Sequence, residues 1–344
     1  MEKSAQEVVL TVSSSPHVRC NESIPKIMWT VVATLVPAAA FGVYYFGFNA
    51  LLNIIVSIVS AVFFEWAWEK FMHKKITIND GSAVITGLLL AMCCSPILPW
   101  WMCIVGSFIA IVVCKQAMGG LGYNLFNPAH VGRAGLMVSW PVAMTTWTQV
   151  NGSVIDGVAG ATPLNVLKQS GYDALLQLFN NDPMTMYQNM FLGFRNGSMG
   201  ETSTVLLILG GLFLMYKGYV KWQATIAMIA TVGILMWVFG GAVGAHATGG
   251  LFTGDPIFHM MAGGLIIGAF FMSTDMVTAP ITLKGQLIFA VGAGVLTVLI
   301  RLLGGYPEGV CYSILLMNAV TPLIDLTVKP RIFGSVKVKA KEAE

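Results

Sequence analysis

Apolar stretches broken by short Gly, Pro and charged clusters run along nearly the whole chain. A helix needs about 20 apolar residues to cross a bilayer core. Candidate spans fall at 26–47, 49–69, 83–98, 100–117, 129–146, 202–216, 222–243, 257–274, 285–303 and 309–328. Helices are expected rather than sheets, because an open sheet edge leaves backbone groups unsatisfied in lipid. Segments such as 83–98 and 129–146 are short and bounded by Gly or Pro, which predicts tilted or broken helices buried among their neighbours.

The two halves of this pattern look alike. "IVVCKQAMGGLGYNLFNPA" and "LTVLIRLLGGYPEGVCYSILLMNA" each pass from an apolar helix through a basic residue, Lys115 or Arg301, to a Gly-Gly turn and a second helix. Ahead of them, "DGSAVITGLLLAMCCSPILP" parallels "DPIFHMMAGGLIIGAFFMSTDMVTAP". With five spans per half, an odd number, the second half is expected to sit upside down relative to the first. Inverted repeats build transporter-like bundles with sites near the midplane, where helices break. Generic Gly-rich turns that match by chance are the alternative.

Charge sets the expected orientation. With the N-terminus cytoplasmic, the inner side collects Lys3, Arg19, Lys26, Lys70, Lys74, Lys75, Lys115, Arg133, Lys217, Lys221, Lys284, Lys329, Arg331, Lys337, Lys339 and Lys341. Only Lys168, Arg195 and Arg301 fall outside, an asymmetry that places both termini in the cytoplasm. The expected organisation is a cytoplasmic segment 1–25, a first five-helix repeat 26–146, an extracytoplasmic loop 147–201, a second repeat 202–328 and a cytoplasmic tail 329–344. Composition agrees with an all-α polytopic membrane protein: 56% of residues are hydrophobic, 10% are charged and the mean hydropathy is +0.74, too apolar for a soluble domain. Basic residues spread along inner loops give no nucleic-acid signal. No cleavable leader is expected from the polar first 23 residues.

Candidate chemistry is sparse. Cys20, Cys93, Cys94, Cys103, Cys114 and Cys311 form no CxxC and read as buried small apolar residues. Acids beside spans are expensive and often functional. Asp80 opens the third span, Asp275 closes the eighth and Asp325 closes the tenth, all on one membrane face; hydrated helix-end carboxylates are the plainer alternative. Glu201 reads as an acid at a helix N-terminus. Glu65 and Glu69, with Lys70, read as a local interfacial pair. His246 and His259 lie toward outer span ends, poorly placed as facing heme ligands. Trp66, Trp68, Trp100, Trp101 and Trp147 read as interfacial anchors.

In the long loop, Thr162-Pro163 before "LNVLKQ" predicts an N-cap with proline at the first helical position. Such an end presents free N–H groups and a positive dipole, a ready phosphate site. Gly157, Ala159, Gly160 and Ala161 are expected to leave the Thr162 hydroxyl sterically open. A capped surface helix is the plain alternative. In "GGLGYNLFNP", which lacks GxGxxG and follows no strand, Asn124 and Asn127 are three apart and face the same way if helical. They offer amide groups to a planar polar ring, or cap a helix break.

"DGVAGAT" resembles the flavinylation motif, in which a flavin transferase joins flavin mononucleotide (FMN) to the final threonine by a phosphodiester. Asp156, Gly160, Ala161 and Thr162 match it, whereas Ala159 stands in the slot usually held by Ser or Thr. The resemblance extends through "GGLGYNLFNPAHVGRA", "GSMGETSTVLLILGGLFL", "FMSTDMVTAP" and "YPEGVCYSILLMNA". It is to the family of the D subunit of the Rnf ion-translocating oxidoreductase and, more distantly, the B subunit of the sodium-pumping NADH:quinone oxidoreductase; the length and short N-terminus favour the former.

That resemblance implies covalent FMN at Thr162 on the extracytoplasmic side and a riboflavin site at Gly120, Gly122, Asn124 and Asn127. It also implies cation uptake at Asp80, Asp275 and Asp325, the first of which is a glutamate in the pump relative. The implied setting is a bacterial cytoplasmic membrane, and the implied function is electron transfer coupling ferredoxin:NAD⁺ oxidoreduction to Na⁺ or H⁺ translocation. The implied partners are a covalent-FMN G subunit, integral A and E subunits and cytoplasmic iron–sulfur B and C subunits. A transporter or channel without flavin, and a scaffold whose flavin sites have decayed, are the rival classes.

Overall fold

The computed structural model describes residues 22–148, 159–242 and 249–330. Those residues form helices α1 (Ile24–Phe46), α2 (Phe48–Phe71), α3 (Ser82–Met92), α4 (Trp100–Phe108), α5 (Pro128–Ser139) and α6 (Pro141–Thr145). After them come α7 (Pro163–Gln177), α8 (Pro183–Leu192), α9 (Thr204–Tyr216), α10 (Trp222–Phe239), α11 (Pro256–Met261), α12 (Leu265–Ile267), α13 (Leu283–Leu303) and α14 (Val310–Thr327). α4 runs on as a π-helical segment, Ile109–Gln116, and α12 as another, Gly268–Met272. Two short strands, β1 (Trp147–Thr148) and β2 (Ala159–Gly160), pair antiparallel, Trp147 opposite Gly160.

Among the described residues five helices, α1, α2, α10, α13 and α14, are long and apolar enough to cross a membrane; 82–92, 100–116 and 204–216 are shorter apolar helices. The stretch expected to span at 83–98 is helical only to Met92, the one at 129–146 breaks at Trp140, and the one at 257–274 breaks between Met261 and Leu265. Backbone freed at such breaks needs partners inside the protein, and the structure supplies them. Asn53 Nδ2 donates to the Pro96 and Leu98 carbonyls at 3.1 and 2.8 Å. Arg301 Nη1 and Nη2 donate to the His259 and Ala262 carbonyls at 2.6 and 2.8 Å.

The two halves pack by matching contacts. α2 lies against α3 and α4, as α10 lies against α11 and α13; α4 contacts α5, as α13 contacts α14. Asp80 accepts from Ser82 N at the start of α3, and Asp255 caps α11 through Phe258 N. A serine–serine contact, Ser57 to Ser107, lies in the first half and a Thr297–Ser313 bond in the second.

The α2–α3 crossing is close because residue 87 has no side chain. A Cβ there would sit 2.7 Å from the Ser57 carbonyl and 2.8 Å from Ile58 Cα, both backbone atoms. Rigid backbone cannot yield as a side chain can, so Gly87→Val is expected to cost at least the about 1–3 kcal/mol typical of overpacking. Gly250→Ala, which enters open space, is the control with little effect. The midpoint of thermal unfolding in detergent, followed by size-exclusion recovery, measures the difference.

Leu164, Leu175, Phe179, Met186 and Met190 of the 147–201 loop form a small core with Phe258 and Ala262 of the α11 region. α8 is tied to α11 by Tyr187 Oη donating to Asp255 Oδ2 at 2.6 Å. Burial and the Asp255 carboxylate push the Tyr187 hydroxyl above its ordinary range. The loop therefore docks on the second half of the bundle through apolar packing as well as polar bonds.

Candidate functional sites: two cavities on one helix

Thr162 caps α7, with Oγ1 accepting from Asn165 N at 3.2 Å. The expected open hydroxyl is not found: Thr162 is 2% exposed. The Trp147–Gly160 pairing holds the chain just ahead of it, and capping keeps Oγ1 on the helix end. Trp147, expected at an interface, is buried for the same reason. Asp156 lies outside the described residues, whereas Gly160 and Ala161 form the extended approach to the cap.

One and two turns along α7 from the cap, Asn165 and Gln169 line a cavity of about 250 Å³. Its other walls include Trp147, Arg133 and Met137 of α5, and Tyr306, Glu308, Cys311 and Tyr312 at the α13–α14 turn. Tyr306 and Tyr312 lie near-parallel, ring centroids 6.5 Å apart. Arg133 Nη2 is ion-paired with Glu308 Oε2, both side chains nearly buried, and Arg133 Nε is buried without a partner. Lys168 Nζ donates to the carbonyls of Arg301, Gly304 and Tyr306, fastening α7 to the same turn. Burial lowers the Lys168 ammonium below its ordinary range.

A second cavity, about 110 Å³, lies under the first Gly-Gly turn. Asn124, Asn127, Ser82, Lys115, Tyr219 and Asp275 contribute its polar walls. Asn124 is 5% exposed, its Nδ2 donates to the Phe126 carbonyl, and its Oδ1 has no partner. Asn127 Oδ1 is spent capping α5 through Ala129 N and His130 N. Gly120 and Gly122 do not line the cavity; they adopt φ of +101° and +95°, left-handed values that suit glycine and set the turn that delivers Leu121 and Asn124 to the wall.

The sequence matches the NQR2, RnfD, RnfE family over residues 11–334. The chain belongs to this family. It is 63% identical over 327 residues to the D subunit of the proton-translocating ferredoxin:NAD(+) oxidoreductase complex of Clostridium ljungdahlii, covering 95% of this chain and 97% of that one. Identity to the D subunit of the Na(+)-translocating ferredoxin:NAD(+) oxidoreductase complex of Acetobacterium woodii is 43%, over 98% and 99% of the two chains. The D subunit of the ion-translocating oxidoreductase complex of Stutzerimonas stutzeri is 38% identical, over 91% and 93%.

Within this family member the three expected acids have different partners. Asp275 lines the Asn124 cavity, Asp80 accepts from Ser82 N at the start of α3, and Asp325 Oδ1 accepts from Ile281 N. Several charged residues take roles other than those expected from the sequence. Arg133 and Lys115, counted as topology determinants, are buried in ion pairs. Glu69 accepts from Thr77 N and Oγ1 at 2.9 and 2.5 Å, while Lys70 stands over the Trp66 ring. Glu65 instead pairs with Lys115, fifty residues away.

Glu201, expected at a helix N-terminus, stands just ahead of α9 and is buried, with Ser198 on its carboxylate and Arg195 on its carbonyl. His259 is buried and its carbonyl serves Arg301; His246 lies outside the described residues. Among the described residues no group of three or more His, Cys, Asp or Glu is placed to hold a metal ion, and the five described cysteines are free and buried.

Proposed function

We propose that this chain is the flavin-carrying D subunit of a membrane complex that couples ferredoxin:NAD⁺ oxidoreduction to sodium or proton translocation. The observation that carries the reading is 63% identity to a protein of that name, nearly end to end, in a chain whose flavinylation-like threonine caps a helix beside a cavity. The proposed setting is a bacterial cytoplasmic membrane crossed about ten times, with two inverted five-helix repeats and both termini inside. The matched packing of α2, α4 and α5 with α10, α13 and α14 supports the repeat, and the distribution of basic residues supports the orientation. The proposed partners are a G subunit with covalent FMN, integral A and E subunits and iron–sulfur B and C subunits.

Two flavins supply reversible electron storage. Thr162 is the proposed phosphodiester anchor of FMN on the outer side, where the α7 start offers N–H groups to phosphoryl oxygens. Asn165, Gln169, Arg133 and the Tyr306–Tyr312 pair suit a planar polar ring in the adjoining cavity, and Arg133 Nε is buried without a partner. Asn124, with its orphaned Oδ1, suits the imide N–H of a riboflavin on the inner side. Because Thr162 is buried, a transferase reaches it only when the α7 start is opened. Asp80, Asp275 and Asp325 are the proposed cation-path carboxylates. Mass spectrometry of the peptide holding Thr162, from complex made with a flavin transferase, tests the anchor; an unmodified peptide overturns it.

A further inference from the structure

Buried charge stands behind the Asn124 cavity. Lys115, on the π-helical end of α4, forms part of the cavity wall. Its Nζ lies 2.7 Å from Glu65 Oε1 and 2.6 Å from Ser82 Oγ. The Lys115 and Glu65 side chains are 2% and 1% exposed. Gln116 Nε2 donates to the same Glu65 Oε1 at 3.0 Å, while Oε2 has no partner. Glu65 itself stays behind the wall. The ammonium thus lies between the Glu65 carboxylate and Ser82, which is itself part of the cavity wall.

Removing such a pair from water costs more than its attraction returns in many proteins, and apolar residues of similar size often hold helices as well. The pair therefore calls for a reason beyond joining α2 to α4. Arg301, at the matching position of the second half, donates to backbone carbonyls, with the Glu201 and Glu308 carboxylates acting on it only through space, so a directly bonded carboxylate is not needed to seat a cation there.

We propose that Lys115 is a positioning residue that offsets negative charge on a flavin ring in this cavity, and that Glu65 sets how much of the lysine charge the ring feels. This rests on the inner-flavin reading above. A ring that accepts two electrons from a reduced carrier protein and one proton from solvent gains one negative charge; Lys115 keeps its proton and forms no bond. The other groups facing the pair are Asp80, hydrogen-bonded to Ser82 at 2.6 Å, Glu69 one turn on from Glu65, and Asp275 and Tyr219 across the cavity. They supply a background common to every variant.

The two sides of the pair then act on the ring with opposite signs. Lys115→Met removes the positive charge, disfavours the reduced ring and lowers its midpoint potential; Glu65→Gln leaves the ammonium uncompensated and raises it. Lys115→Arg keeps the wild-type value. The test is a spectroscopic redox titration of the noncovalent flavin in the whole purified complex, after acid extraction has counted that flavin in the wild type. Potentials that are unchanged, or that move the same way in Lys115→Met and Glu65→Gln, overturn the proposal. If Lys115→Met sheds its flavin, Glu65→Gln decides alone, an unchanged or lowered value overturning it. A wild-type complex without extractable flavin overturns the inner-flavin reading instead.

Discussion

Thr162→Ala and Thr162→Asn are each expected to yield a chain with no covalent flavin, its ultraviolet in-gel fluorescence falling to background, while Thr162→Ser retains the signal. A phosphodiester needs the hydroxyl oxygen, which Ala and Asn lack and Ser keeps. Loss of fold does not account for the difference. Removing the bond from Asn165 N to Thr162 Oγ1 costs about 1 kcal/mol, and asparagine restores an N-cap at least as good as threonine. Pro163 at the first helical position favours the helix start in every variant. Persistent fluorescence in Thr162→Asn, at wild-type expression, would place the attachment elsewhere.

The second large effect is expected at the ion pair beside that cavity. Arg133 and Glu308 come from α5 and from the turn before α14, so their pairing joins the two halves of the chain. Arg133→Leu strands the largely buried Glu308 carboxylate, a change that costs up to about 3–5 kcal/mol, the loss when one partner of a fully buried pair is removed. Arg133→Leu with Glu308→Met removes the stranded charge and is expected to recover most of that loss. Unfolding midpoints for the two single variants and the double variant give the coupling directly. A double variant no more stable than Arg133→Leu would mean that the cost lies in packing rather than in charge.

Local chemistry made some features readable in advance. Thr162-Pro163 and Asn127-Pro128 both announce helix starts, and both are caps in the structure. Gly and Pro at the edges of 83–98 and 129–146 announced breaks, because those residues act on their own backbone. Pairings across the bundle were hidden. Glu65 sits four residues from Glu69 and five from Lys70, so a local pair looked adequate, yet its partner comes from the π-helical end of α4. Lys115 and Arg133 belong by sequence to the inner-side basic set, although Arg133 lies inside an expected span. A charge there is expensive, and that expense was the available signal. Thr162 looked open because small residues precede it, but burial depends on the β1–β2 pairing and on how α7 docks, neither of which is encoded next to the threonine.

Both cavities use the wall of α5: Ala129 faces one and Arg133 the other. Four residues of α-helix rise about 6 Å, roughly a fifth of a hydrocarbon core about 30 Å thick. With α5 along the membrane normal, a unit charge passing between the facing walls would cross only about a fifth of the electrical field. At about 2.3 kcal/mol per charge for a full crossing at 100 mV, that step is worth about 0.5 kcal/mol. Between these two wall residues the membrane potential would therefore do little to oppose or drive a moving charge, and the rest of the voltage falls across the remainder of each cavity and the paths leading into and out of them.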